Sequence, residues 1–173
     1  MFQEAALKVG SLVFNKGGKI MHSRIFQVSM EPIARTDYID ESNYYEHWFT
    51  REIADYVSDS TNRAKDIDWL SSYGKGIVVS ADEDGEFLIV TDREKYFNNA
   101  FEDFKEAIDE IKNCTITEFS KGLHNMWKIT NTYEDKYGFY VDADGELITL
   151  DRFVRTCALN AKYYIGGTVD YHC

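Results

Sequence analysis

Residues 80–93 read SADEDGEFLIVTDR, and residues 141–152 read VDADGELITLDR. Both copies place acid, any residue, acid, glycine, acid ahead of an apolar run. An EF-hand calcium loop needs acids at positions 1, 3 and 5, glycine at 6 and glutamate at 12. With Gly85 and Gly145 at position 6, Ser80 and Tyr140 fall at position 1, and Thr91 and Asp151 at position 12. Both copies therefore lack the first ligand and the bidentate glutamate. Their β-branched and aromatic flanks suit strands, not the two helices an EF-hand requires. Asp84-Gly85 and Asp144-Gly145 between apolar runs are instead hairpin-turn signals, because glycine accepts positive φ there. The repeat is read as structural, two β-hairpins holding no metal.

Outward from these hairpins the pattern alternates. Residues 24–30 (RIFQVSM) read as a strand closed by Pro32. Asn43 followed by Glu46 resembles a helix start, with Tyr45, Trp48, Phe49, Ile53, Tyr56 and Val57 then at helical spacing. A shorter helix is expected around Ala64 to Leu70. The strongest amphipathic stripe is Tyr96, Phe97, Ala100, Phe101, Phe104, Ala107, Ile108 and Ile111. Thr115 and Glu118 form a capping box that opens a helix with Ile116, Phe119, Leu123, Met126 and Trp127 on one face. A short helix from Phe153 to Asn160 and a last strand, KYYIGGTVDY (162–171), complete the chain. Gly166-Gly167 inside that strand lacks a phosphate-binding glycine pattern and reads as a bulge. The expected fold is α+β: one domain, an antiparallel sheet built around two hairpins and covered by amphipathic helices.

Composition agrees. A chain of 173 residues, 44% hydrophobic and 15% aromatic, is long enough for one buried core. No apolar run reaches membrane-spanning length. Three cysteines without a C-x-x-C pair favour a reduced cytoplasm over a disulfide scaffold. At the amino terminus, Lys16-Gly17-Gly18 stands just ahead of Met21. Lys-Gly-Gly is what a purine-rich bacterial ribosome-binding site spells when translated. Residues 1–20 are therefore read as translated leader and residues 21–173 as the domain. The competing reading is a short helix with Ala5, Val9, Leu12 and Val13 on one face.

Charge is the most informative feature. The chain carries a net charge of −11. From Asp37 to Lys112 there are twenty acidic and eight basic side chains, a net of −12. No basic stripe exists, so direct nucleic-acid binding is not expected. An acidic field instead attracts a basic protein surface. Glu102, Glu106 and Glu110 recur every fourth residue opposite the apolar stripe of their helix, roughly 6 Å apart along its axis. Such a row either solvates the helix or imitates a phosphate backbone.

Catalytic signals are thin. His22, His47, His124 and His172 share no metal-ligand spacing, and YEHWF is not H-E-x-x-H. Cys114 and Cys157 are read as packing residues in preference to nucleophiles.

MHSRIFQVS (21–29), YYEHWFTREIADYV (44–57), GELITLDRFVRT (145–156) and YYIGGTVDY (163–171) resemble small acidic proteins carried by bacterial phages and conjugative elements. Several groups of such proteins are anti-restriction or anti-CRISPR inhibitors, and some mimic DNA. The resemblance implies an inhibitor of a bacterial defence nuclease, with an RNA-guided Cas9-type effector and its basic channel as first candidate. It carries over no functional residues. The expected contacts are Asp37, Asp40, Glu41, Glu102, Glu106 and Glu110, with Tyr44 as an aromatic anchor off the main apolar stripe. No catalytic residue, cofactor, metal or membrane is expected, and homo-oligomer formation stays open. The alternatives are a non-catalytic adaptor or regulatory subunit of a mobile element and, third, a small enzyme.

Overall fold

The computed structural model describes residues 22–122 and 124–173. The described elements are β1 (His22–Ser29), α1 (Phe49–Glu52), β2 (Tyr56–Asp59), α2 (Arg63–Tyr73), β3 (Ile77–Asp82), β4 (Gly85–Val90) and α3 (Arg93–Lys112). There follow α4 (Ile116–Ser120), α5 (His124–Tyr133), β5 (Tyr140–Ala143), β6 (Glu146–Thr149), α6 (Leu150–Thr156) and β7 (Tyr163–His172). The strands form one sheet of order β3-β4-β7-β1-β5-β6, with β2 also on β7. Every pairing is antiparallel except β1 with β5. The α+β class is therefore observed, with one parallel pair inside the expected antiparallel sheet.

β7 is the strand on which the others assemble. β1 runs along one side of it, while β4 and β2 share the other. β4 pairs with Tyr163 and Tyr164, and β2 with Val169 to His172. Between these stretches the ladder with β1 slips: Phe26 faces Thr168, but Val28 faces Ile165. Two residues, Gly166 and Gly167, thus oppose the single Gln27, which is the expected bulge. The Gln27 side chain fills it. Its Oε1 accepts from Gly167 N at 2.9 Å and from Ile39 N at 3.1 Å. On the other side, the Arg63 guanidinium donates to the carbonyls of Gly166 and Ile165 at 2.6 and 2.5 Å, covering the gap between β2 and β4.

The slip decides which residues lie on which face. Side chains alternate along a strand, so Tyr163, Ile165, Val169 and Tyr171 would share one face without it. Instead Tyr163 and Ile165 pack with Phe26, Val28, Val90, Leu70 and Val154 under α2 and α6. Val169 and Tyr171 pack with Ile25, Tyr44, Phe49, Val57 and Tyr140 on the opposite face. The sheet is consequently covered on both sides.

Both acidic repeats form hairpins, but not in the same register. In the second, Ala143 pairs with Glu146 and the corner is Asp144-Gly145, with φ of +52° and +87°. Two positive φ angles are what the type I′ hairpin requires. In the first, Asp82 pairs with Gly85, so the corner moves to Glu83-Asp84 and the positive φ falls on Gly85 (+134°). Asp82 Oδ1 accepts from Asp84 N at 3.0 Å, whereas Asp142 Oδ1 accepts from Gly145 N at 3.1 Å.

Other expectations need correction. The helix read across residues 43–57 does not form. A 3₁₀ turn (Glu41–Tyr44), the short α1 and strand β2 take its place. Glu46 at φ +61° breaks the run, and Tyr56 and Val57 pair with His172 and Tyr171. The Thr115–Glu118 capping box is present, but α4 ends at Ser120 and Gly122 takes φ +94°. A separate α5 then begins at His124. The short helix expected from Phe153 runs instead over Leu150–Thr156. The leader reading of residues 1–20, the start at Met21 and the place of Leu123 lie outside the described residues. No helix among the described residues is long and apolar enough to cross a membrane.

Gly167 gives the bulge a direct test. A Cβ there would be built against the carbonyl O of Ile39 and 2.7 Å from its N, backbone atoms that cannot swing aside. Gly167→Ala should cost roughly 1–3 kcal/mol in urea unfolding; a midpoint equal to the parent's would show that this contact is slack.

Candidate functional site

On the α2 face, the even-numbered residues of β1 meet those of β7 beyond the bulge. Arg24 Nε donates to Asp66 Oδ1 at 2.6 Å, and its Nη1 to Asp170 Oδ1 and, at 2.9 Å, to the Ser23 carbonyl. Asp66 is 3% exposed and accepts further from Thr168 Oγ1 at 2.8 Å and from Ser60 Oγ. The guanidinium lies 5.3 Å from the Trp69 ring centre. Removing one partner of such a buried pair strands the other charge, at a cost of about 3–5 kcal/mol. At the strand ends, His22 and His172 are directly opposed, with ring centres 3.8 Å apart. Both approach Asp170 Oδ2, His22 Nδ1 at 3.2 Å and His172 Nε2 at 3.8 Å. Sequence spacing missed this group because its members stand at opposite ends of the domain.

A second titratable cluster lies where the helices meet the sheet. Asp151 accepts from Tyr96 OH at 2.9 Å and from Asp135 N at 2.8 Å, and Asp135 accepts from Tyr137 N at 3.0 Å. Burial raises both carboxyls above their ordinary range, and the charge of Asp151 raises Asp135 further. Burial also raises the Tyr73 and Tyr96 hydroxyls beside them. Arg155 stacks between Phe97 and Tyr133 at 4.4 and 4.3 Å, joining α6 to the bases of α3 and α5. Cys157 is buried, and burial raises its thiol, which disfavours the thiolate a nucleophile needs.

The seven expected contact residues do not form one row. Asp37 is exposed on the loop after β1, and Asp40 caps the 3₁₀ turn by accepting from Ser42 N at 2.8 Å. Hydrogen bonds from Ser42 hold the Asp40 carboxyl below the usual carboxylate range. Glu41 accepts from Tyr45 OH at 2.6 Å. Tyr44 is not a surface anchor. It is 1% exposed, packs among Phe49 and Tyr171, and donates its hydroxyl to Asp142 at 3.0 Å. Its position off a helical stripe has no bearing, since the helix is absent.

Glu102, Glu106 and Glu110 do face solvent, with side chains 59%, 65% and 40% exposed. Each also has a lysine. Lys105 pairs with Glu102 at 2.7 Å, and Lys128 from α5 lies between Glu106 and Glu110 at 3.5 and 3.4 Å. Residues 93–133 hold seven acidic and six basic side chains, a net of −1, so the acidic field is not on this hairpin of helices.

The field lies earlier in the chain. Residues 37–92 hold fourteen acidic and four basic side chains, a net of −10. The loop after β1 has an open groove on either side, with Ile33 lining both. One is lined by Glu31, Asp37, Asp142 and Asp144 with no basic residue. The other is lined by Asp82, Glu83, Asp84 and Glu86, with Arg35 and Arg63. The acids of the repeated turns thus line the two grooves beside this loop. There Lys162 pairs with Asp82 at 2.6 Å and Arg63 with Glu86 at 3.0 Å, leaving Glu83, Asp84 and Asp144 without such a pair among the described residues. Their exposed place at hairpin corners was the available signal.

The helical hairpin has another character. Phe101, Ile116, Phe119 and Met126 are 56%, 79%, 61% and 52% exposed, and Ala107 is the only fully buried residue of α3.

No family model matches the chain, and neither a curated protein nor a solved structure matches it.

The Asp135–Asp151 pair predicts a pH dependence. A carboxyl raised on folding contributes stability that is fully present below its unfolded value of 3.8 and lost as pH rises through its folded value. Asp135→Asn removes one such carboxyl. The melting temperature of this variant should rise relative to the parent's as pH is raised above 3.8. A constant difference would show that Asp135 ionises without penalty.

Proposed function

We propose that the protein acts by binding and not by catalysis, as an inhibitor of a bacterial defence nuclease. The observation that carries this reading is the net charge of −10 across residues 37–92, with the grooves beside the β1 loop lined by the acids of both turns. A basic protein surface complements such a field, which speeds association and makes it sensitive to salt. The first candidate target is an RNA-guided Cas9-type effector, whose guide and target occupy a positively charged channel. Asp37, Glu83 and Asp84 are exposed contacts on this surface, together with Asp40 and Glu41. Glu102, Glu106 and Glu110 are secondary, because their lysine partners offset them locally.

A second reading is a non-catalytic adaptor. The exposed Phe101, Ile116, Phe119 and Met126 on a hairpin of helices whose charges nearly cancel favour it.

DNA-cleavage assays over a panel of Cas9 and restriction enzymes test both. Inhibition should appear for at least one nuclease and weaken as salt rises. Asp37→Lys, Glu83→Lys and Asp84→Lys together should raise the inhibitory concentration at least tenfold. The triple reversal at Glu102, Glu106 and Glu110 should change it less. Inhibition untouched by the first triple but abolished by Ile116→Asp with Phe119→Asp would transfer the activity to the helical hairpin. No inhibition anywhere in the panel would remove the inhibitor reading.

A further inference from the structure

We propose that His22, Asp170 and His172 hold one zinc-class divalent ion, with a fourth coordination position open to water. One ligand atom from each lies within 4.8 Å of the other two. The sheet itself makes the arrangement. His22 and His172 are a cross-strand pair, and Asp170, two residues before His172, presents its side chain on the same face.

The distances are near what an ion requires. In a tetrahedral zinc site with bonds of about 2.0–2.1 Å, ligand atoms stand about 3.3 Å apart. The separations of His22 Nδ1 and His172 Nε2 from Asp170 Oδ2 are 3.2 and 3.8 Å. The donors of the two rings lie within 4.8 Å of one another, so the rings must turn toward Asp170 Oδ2 for all three to share one ion. Two imidazoles and a carboxylate suit zinc and its first-row neighbours, and three protein ligands leave room for a water.

The surroundings favour a cation. Arg24 occupies Asp170 Oδ1, which fixes the carboxylate plane and leaves Oδ2 directed at the histidines. Arg24 is fixed in turn by Asp66, which Ser60 and Thr168 hold. Two carboxylates against one guanidinium leave a net negative charge beside the two imidazoles. His22, with a side chain 52% exposed, gives solvent access, while His172 and Asp170 are 20% and 17% exposed. The acidic repeats play no part, so this departs from the metal-free expectation without reviving the calcium loop.

Full-length protein, stripped with a chelator, is titrated with zinc in equilibrium dialysis and with cobalt(II) under visible spectroscopy. One zinc per chain should bind at micromolar concentration, and cobalt should give the intense visible bands of a four-coordinate site. His172→Gln and Asp170→Asn should each weaken zinc binding at least tenfold. His47→Gln with His124→Gln should leave it unchanged. If circular dichroism shows that either β7 variant fails to fold, His22→Gln, at an exposed strand end, must show the tenfold loss on its own. The proposal is overturned by absence of binding at micromolar zinc, by binding that survives loss of His22 or His172, or by a thiolate-to-cobalt band assigning the ion to a cysteine.

Discussion

A single extra residue in β7 determines the arrangement of the molecule. Gly166 and Gly167 oppose Gln27 alone, and the slip turns the strand over halfway along its length. Its first half then completes the core beneath α2 and α6, and its second half completes the aromatic core around Tyr44, Phe49 and Tyr171. Glycine is needed for room. The Gln27 amide crowds one Cβ position, and the backbone of Ile39 crowds the other. The same slip carries Thr168, Asp170 and His172 to the side where α2 presents Asp66 and β1 presents Arg24 and His22.

Covering both faces restricts where function can reside. The two grooves beside the β1 loop are open and mostly polar, and among the described residues the buried polar side chains are largely satisfied by one another. What remains is the periphery: the turns and loop that carry the negative charge, the hairpin of helices that carries exposed apolar side chains, and the strand ends where two histidines meet. These regions have different chemistry. The first suits a basic macromolecular surface, the second an apolar one, and the third a small cation.

Local chemistry was legible in the sequence. The Asp144-Gly145 turn, the Thr115–Glu118 capping box and the Gly166-Gly167 bulge each depend on a few neighbouring residues, and each is present, whereas the first hairpin turns one residue earlier than Asp84-Gly85. The misreadings came from non-local competition. Tyr45, Phe49, Ile53 and Val57 keep helical spacing, yet pairing with Tyr171 and His172 draws Tyr56 and Val57 into the sheet. Tyr44 follows the same error, since its burial depends on β7 and on Asp142, 98 positions away. The carboxylate row on α3 faces solvent as its spacing predicts, but Lys128 arrives from α5 and no pattern within α3 announces it. His22, Asp170 and His172 converge only through strand register, which spacing in a sequence does not encode.

The bulge itself can be tested most directly by residue-resolved amide hydrogen exchange on Gln27→Ala beside the parent. Gln27 Oε1 is the acceptor for the amides of both Gly167 and Ile39. If it seats the bulge, those two amides should lose protection together, along with residues 168–172 of β7, while the β3–β4 ladder keeps its own. Unchanged protection at Gly167 and Ile39 would contradict the account, because the turnover of β7 would then be held by something other than this side chain.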